Sequence, residues 1–380
     1  MIRESAVNWT RDIYRPLRHA GRRVSRKLIT RPTRVSRQAE RYPVLDNARF
    51  VLIALVVAGH LLEQLVDTGP FAAAAYCWIY LFHMPAFVLI SGALSKPTLT
   101  RRRAWAIVTR LLLPFVVFQT LYSASDAWLF HTGDWSQGYL TPYWLLWYLM
   151  SLACWRLLLP LFARLKFALP LAVAIALAAG VAPWIGYTLS LSRTLVFFPL
   201  FLLGYQIGAR KLQRLGSFSS HRLAAAAILI VAVIGAWFLR DLDPEWLYDS
   251  VGYAALDAAP WSGAAERLAL LSASVACALS MIALVSHHAN HTGFGKHSLT
   301  AYLMHGFLVR GLVAAGVFAW LAHLLPPFAQ LLACGVAGAA IATVLSTRRA
   351  ARLCAPLTQP AAWVRNLLQK PYDAIRVRME

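Results

Sequence analysis

Charge is scarce in this 380-residue chain, and acid is scarcer still: 14% of residues are charged, with 16 Asp and Glu against 37 Lys and Arg. Soluble domains carry about 25% charged and 45–50% apolar residues, whereas 59% of this chain is hydrophobic. That excludes a water-soluble enzyme, a coiled coil and a disordered chain. Cysteine is sparse too. Cys77, Cys154, Cys277, Cys334 and Cys354 lie in or beside apolar runs and form no CxxC pair, so neither a disulfide framework nor a zinc site is indicated. The chain also lacks a GxSxG elbow, a P-loop and a GxGxxG turn. A covalent serine mechanism and a bound nucleoside triphosphate are therefore without local support.

What the chain has is apolar sequence. A bilayer core of about 30 Å needs roughly 20 apolar residues in a helix. Ten such runs follow one another: 46–66, 75–94, 107–129, 143–163, 167–187, 192–209, 222–240, 266–287, 297–322 and 326–346. Pro170 and Pro183 make the fifth the weakest. The expected fold class is an all-α integral membrane protein of about ten transmembrane helices.

The cations sort by position. Residues 1–42 hold twelve Lys or Arg against Glu4, Asp12 and Glu40. That arm, alternate breaks between runs, and the tail from 347 together hold 32 of the 37 cations, whereas the break 241–265 carries Asp241, Asp243, Glu245, Asp249 and Asp257. This is the positive-inside pattern, which predicts that both termini are cytoplasmic. It directs the net charge of +21 towards anionic membrane lipids and away from nucleic acid. Three parts follow: a basic cytoplasmic arm (1–42), a multi-pass domain (43–346) and a basic cytoplasmic tail (347–380).

The first run carries four ionisable residues, Asp46, Arg49, His60 and Glu63. Such residues are costly in a span and point to function by default. Arg49 and His60 are eleven residues apart, three helical turns plus roughly 20°, so they share one face about 16 Å apart along the axis. Glu63 lies one turn beyond His60 and is placed to orient an imidazole; Asp46 stands in the same relation to Arg49. The bland alternative makes Asp46 and Arg49 an interfacial pair and His60 an interhelical hydrogen-bonder.

The stretch DNARFVLIALVVAGH resembles the opening motif of the membrane acyltransferase-3 family, in which Arg, ten residues and His mark the first span. FHMPAFVLISG (Phe82–Gly92), LWYL (Leu146–Leu149), SRTLVFFPLFLLGY (Ser192–Tyr205) and AYLMH (Ala301–His305) resemble further blocks, in family order, of the branch similar to fucose 4-O-acetylase. The resemblance implies a bacterial inner-membrane enzyme that moves an acyl group, usually acetyl, from cytosolic acyl-CoA to a hydroxyl of an envelope carbohydrate or glycolipid. Acyl-CoA would be a co-substrate, with no bound cofactor and no metal. His60 then suits the base, oriented by Glu63, and Arg49 with Asp46 suits the CoA phosphates or the donor channel.

Other polar groups in the runs read less sharply. His83, ahead of Pro85, lines the site or holds a broken turn. Arg193 meets the acceptor or thioester oxygen, or snorkels from an edge. Trp147 and Tyr148 read as packing or belt aromatics ahead of a sugar platform. His305 matches a family block, Arg310 has no role that follows from its position, and Asp126 and Asp134 read as solvated. His287, His288, His291 and His297 read as loop histidines rather than metal ligands. A secondary transporter or flippase for an envelope glycolipid is the competing function class.

Overall fold

Each of the ten apolar runs contains a helix in the structure, a computed structural model that describes residues 42–130, 138–285 and 292–366. The arm over 1–41 lies outside the described residues. Among those described there is no strand. Helix α1 (Pro43–Leu62) opens on a proline, whose missing N–H costs nothing at a first turn, and continues as a 3-10 segment, Glu63–Thr68. Then follow α2 (Pro70–Ala93), α3 (Arg101–Leu129), α4 (Trp147–Phe162) and α5 (Ala168–Ala179). The second half comprises α6 (Leu191–Ile207), α7 (Ser219–Phe238), α8 (Pro260–Leu284), α9 (Ser298–Ala314), α10 (Val317–Leu324) and α11 (Pro327–Leu345).

Among the described residues, eight helical stretches are individually long and apolar enough to cross a membrane, and α9 with α10 makes a ninth if the bent pair is one span. The expected tenth is α5. Its twelve residues span about 18 Å, well short of the bilayer core. The chain leaves the helix at Gly180, ahead of Pro183, as the weak fifth run foreshadowed. The main break also differs from expectation. Helix α2 runs through Pro85 without interruption, whereas α9 and α10 meet at 65° across Gly316, whose φ of +69° is the left-handed conformation that ends helices.

Helix α1 is the hub, packed against α2, α9 and α11. The crossing of α2 with α6 explains two of the recognised blocks. A Cβ on Gly92 would stand 1.9 Å from the carbonyl oxygen of Phe201, and one on Gly204 would stand 2.1 Å from that of Leu89. Only glycine lets these backbones approach, the usual device where helices meet in lipid. Helix α7 is peripheral, with 11% of its most apolar window buried. The described part of the tail forms short helices, Arg348–Leu353 and Ala355–Thr358, and the second packs against α3 and α9.

Candidate active site

His60 occupies the last turn of α1, where the helix tightens into the 3-10 segment that carries Glu63. Its Nδ1 lies 2.9 Å from Glu63 Oε2. A carboxylate only accepts, so Nδ1 carries the proton and donates it, which leaves Nε2 as a lone-pair acceptor. The Tyr80 hydroxyl stands 3.1 Å from the same Nδ1. The Trp144 ring packs 4.3 Å from the imidazole, and the His305 ring stacks on it at 5.4 Å. The imidazole is held on three sides.

His60 and Glu63 open into a cavity of about 170 Å3 whose walls include His83, Trp147, Arg193 and Tyr248. Arg193 Nε donates to the Tyr248 carbonyl at 3.0 Å, and its guanidinium lies 5.2–6.0 Å from the rings of Trp147, Tyr187 and Tyr248. It therefore faces the cavity within an aromatic collar instead of snorkelling. His83 Nδ1 donates to the Ile79 carbonyl at 2.8 Å, leaving its Nε2 as an acceptor. His305 backs His60 without lining the cavity. Its Nδ1 donates to the Ala301 carbonyl at 3.0 Å, and its buried Nε2 has no partner among the described residues.

The segment that brings Tyr248 to the cavity is pinned from below. Tyr248 is hydrogen-bonded through its hydroxyl to Tyr76, and Ser192 donates to the Asp249 carbonyl at 2.7 Å. Asp249 pairs with the fully buried Arg267 at 3.2 Å. Burial pushes the Asp249 carboxyl up to about 6, against the pull of Arg267 and Arg193.

At the other end of α1, Arg49 Nη1 donates to Asp46 at 3.2 Å, and both are half-buried. Arg49 interacts electrostatically with Tyr148 and Arg156 of α4. It lies outside the walls of the His60 cavity. Close to it is a larger cavity of about 740 Å3, walled by Lys96, Arg102, Arg103, Arg110 and Arg156 with no acidic residue. Sequence reasoning missed this cluster, because Arg156 is far in sequence from Lys96, Arg102, Arg103 and Arg110 and no local pattern shows that they wall one cavity. Arg110 sits in a π-helical segment of α3, Val108–Leu112, a local widening that often marks functional positions.

Two expectations are corrected. Asp126 is buried, not solvated, and Arg310 has a partner: Arg310 Nη2 and Nε donate to Asp126 Oδ1 at 2.7 and 3.1 Å, while the Tyr143 hydroxyl donates to Oδ2 at 2.7 Å. Residues 184 apart in sequence meet here, which no local pattern signals. Tyr148, read as packing or belt, is tied by its hydroxyl to Ser91 and to the Phe87 carbonyl. Asp134, His287, His288 and His291 lie outside the described residues, among which no group of side chains is arranged to hold a metal.

Residues 42–347 match the acyltransferase-3 family, described as an acyltransferase domain. The nodulation protein NolL of Mesorhizobium japonicum is 33% identical over 176 residues, 42% of this chain and 46% of its own length. NolL of Sinorhizobium fredii is 31% identical over 180 residues, 42% of this chain and 47% of its own. The inner membrane protein YcfT of Escherichia coli is 29% identical over 194 residues, 42% of this chain and 53% of its own. The chain thus spans about half the length of the curated relatives it matches. No solved structure matches.

Proposed function

Because this chain belongs to the acyltransferase-3 domain family, we propose that it carries an acyl group, acetyl in the simplest case, from acyl-CoA to a hydroxyl of an envelope carbohydrate or glycolipid. The proposed setting is the bacterial inner membrane, with both termini and the basic cavity on the cytosolic side. The observation that carries this reading is the His60–Glu63 bond: an imidazole fixed by a carboxylate lines an aromatic cavity inside a membrane bundle.

The chemistry follows from that fixed tautomer. The acceptor hydroxyl gives its proton to His60 Nε2 as its oxygen attacks the thioester carbonyl. Glu63 stabilises the imidazolium that forms, and Arg193 is placed to meet negative charge on the carbonyl oxygen. Collapse breaks the C–S bond, and the imidazolium returns the proton to the leaving CoA sulfur. At the other end, the five-cation cavity suits the phosphates of CoA, and in this reading the donor passes Arg49 and its partner Asp46 on the way to His60. The axial offset of about 16 Å between Arg49 and His60 is within reach of an extended pantetheine arm. Acyl-CoA enters as a substrate, so no bound cofactor is called for.

The test is turnover of labelled acetyl-CoA by membranes carrying the parent or His60→Ala, matched for protein level. Release of CoA by the parent and its loss in His60→Ala support the reading. A parent that leaves acetyl-CoA intact with every envelope glycan fraction supplied favours a transporter, and an active His60→Ala removes the base.

A further inference from the structure

A second cavity of about 330 Å3 adjoins the first and shares two walls with it, Glu63 and Trp144. Its remaining polar walls are Gln64, Asp126, Tyr143 and Arg310. The Asp126 carboxylate is held rigidly by three donors, two on Arg310 and one on Tyr143. Trp144 separates the cavities, and its φ of +29° is a conformation that side chains other than glycine rarely adopt. Such strain persists only where the surroundings impose it, and here they fix the indole between His60 and the second cavity.

The chemistry of these walls selects a ligand class. Two carboxylates face one guanidinium already engaged with Asp126, so the cavity repels phosphates and other anions. What it offers is a set of fixed donors and acceptors beside one flat aromatic face. A neutral sugar ring matches that set, with hydroxyls along its rim and a C–H face that packs on an indole.

We propose that this cavity binds a second, neutral sugar residue of the acceptor, adjacent to the one acylated, so that the glycan straddles Trp144 with one residue on each side. The proposal rests on the acyltransferase reading above. Its consequence is that the protein prefers di- and trisaccharide units to the corresponding monosaccharides.

The test uses the purified full chain in detergent on a printed array of neutral and sialylated mono-, di- and trisaccharides. The parent is expected to bind neutral di- or trisaccharides at least tenfold more strongly than their monosaccharides. Two variants should lose at least tenfold of that binding: Asp126→Asn, which alters the hydrogen-bonding wall, and Val313→Trp, which fills the cavity from its apolar wall and leaves the ion pair in place. Variants are compared only where their elution profile matches the parent's. A parent with no preference for neutral oligosaccharides, a preference for the sialylated ones, or parent-like binding by a folded variant overturns the proposal. Loss of acetyl-CoA turnover in His60→Ala is scored separately. Turnover without the array result sinks the second-sugar site alone, and array binding without turnover sinks the enzymatic reading.

Discussion

Replacing Glu63 with glutamine probes the tautomer on which the proposed reaction depends. In the parent, the single Nδ1 proton goes to a carboxylate at 2.9 Å, a charge-assisted bond worth about 1.5–3 kcal/mol. A glutamine amide donates as readily as it accepts, and the Tyr80 hydroxyl at 3.1 Å donates to Nδ1 once that nitrogen gives up its proton. With both donating, the proton moves to Nε2 and the base is lost. A preference of 1.5–3 kcal/mol reversed leaves the productive tautomer roughly 10- to 150-fold rarer. The imidazolium also forfeits its carboxylate partner, which brings the expected loss in kcat to about 10²–10⁴-fold. Because Glu63 lies far from the basic cavity, KM for acetyl-CoA should change less than threefold. The assay is acetyl-CoA turnover in matched membranes, with kcat and KM resolved separately, and Tyr80→Phe as a companion expected to lose less than tenfold. A Glu63→Gln enzyme with kcat within threefold of the parent refutes the tautomer argument.

Three further outcomes are expected. Arg110→Ala combined with Arg156→Ala should raise KM for acetyl-CoA about tenfold and flatten its salt dependence, while turnover of S-acetyl-pantetheine, which lacks the nucleotide phosphates, stays at the parent level in a direct comparison. Gly204→Ala forces a methyl group against the Leu89 carbonyl; overpacking of this kind costs about 1–3 kcal/mol, read as a lower Tm and reduced membrane accumulation. Asp249 has a raised folded-state pKa of about 6, so its contribution is full below the unfolded value near 4 and is lost as pH rises through 6. Melting in detergent between pH 4 and 7 should show that component, at most about 3 kcal/mol, in the parent and not in Asp249→Asn.

The half of the candidate site around His60 is legible in sequence because it is local. Arg49 and His60 lie on one helix with Glu63 at its end, and a period of 3.6 residues gives the expected directions of the first two before any packing is known. The family blocks carry less obvious physics: Gly92 and Gly204 mark a helix crossing that only coordinates reveal. What stays hidden in sequence is long-range. Asp126 and Arg310 look like a solvated acid and an unexplained cation until α3 and α9 are laid side by side. Arg156 meets Arg110 across a cavity that no local pattern marks, and Trp144 betrays nothing of its backbone strain. The fifth and ninth runs show the limit of hydropathy, which registers apolar length but not where Gly180 or Gly316 stops a helix.

The central claim is that donor and base meet inside the bundle, and a cryo-electron microscopy map of the protein with bound CoA addresses it most directly. The account expects the nucleotide phosphates among Arg110, Arg156 and their neighbouring cations, with the sulfur end inside the cavity within hydrogen-bonding range of His60. Density that places CoA along another surface, with its sulfur remote from that imidazole, contradicts it.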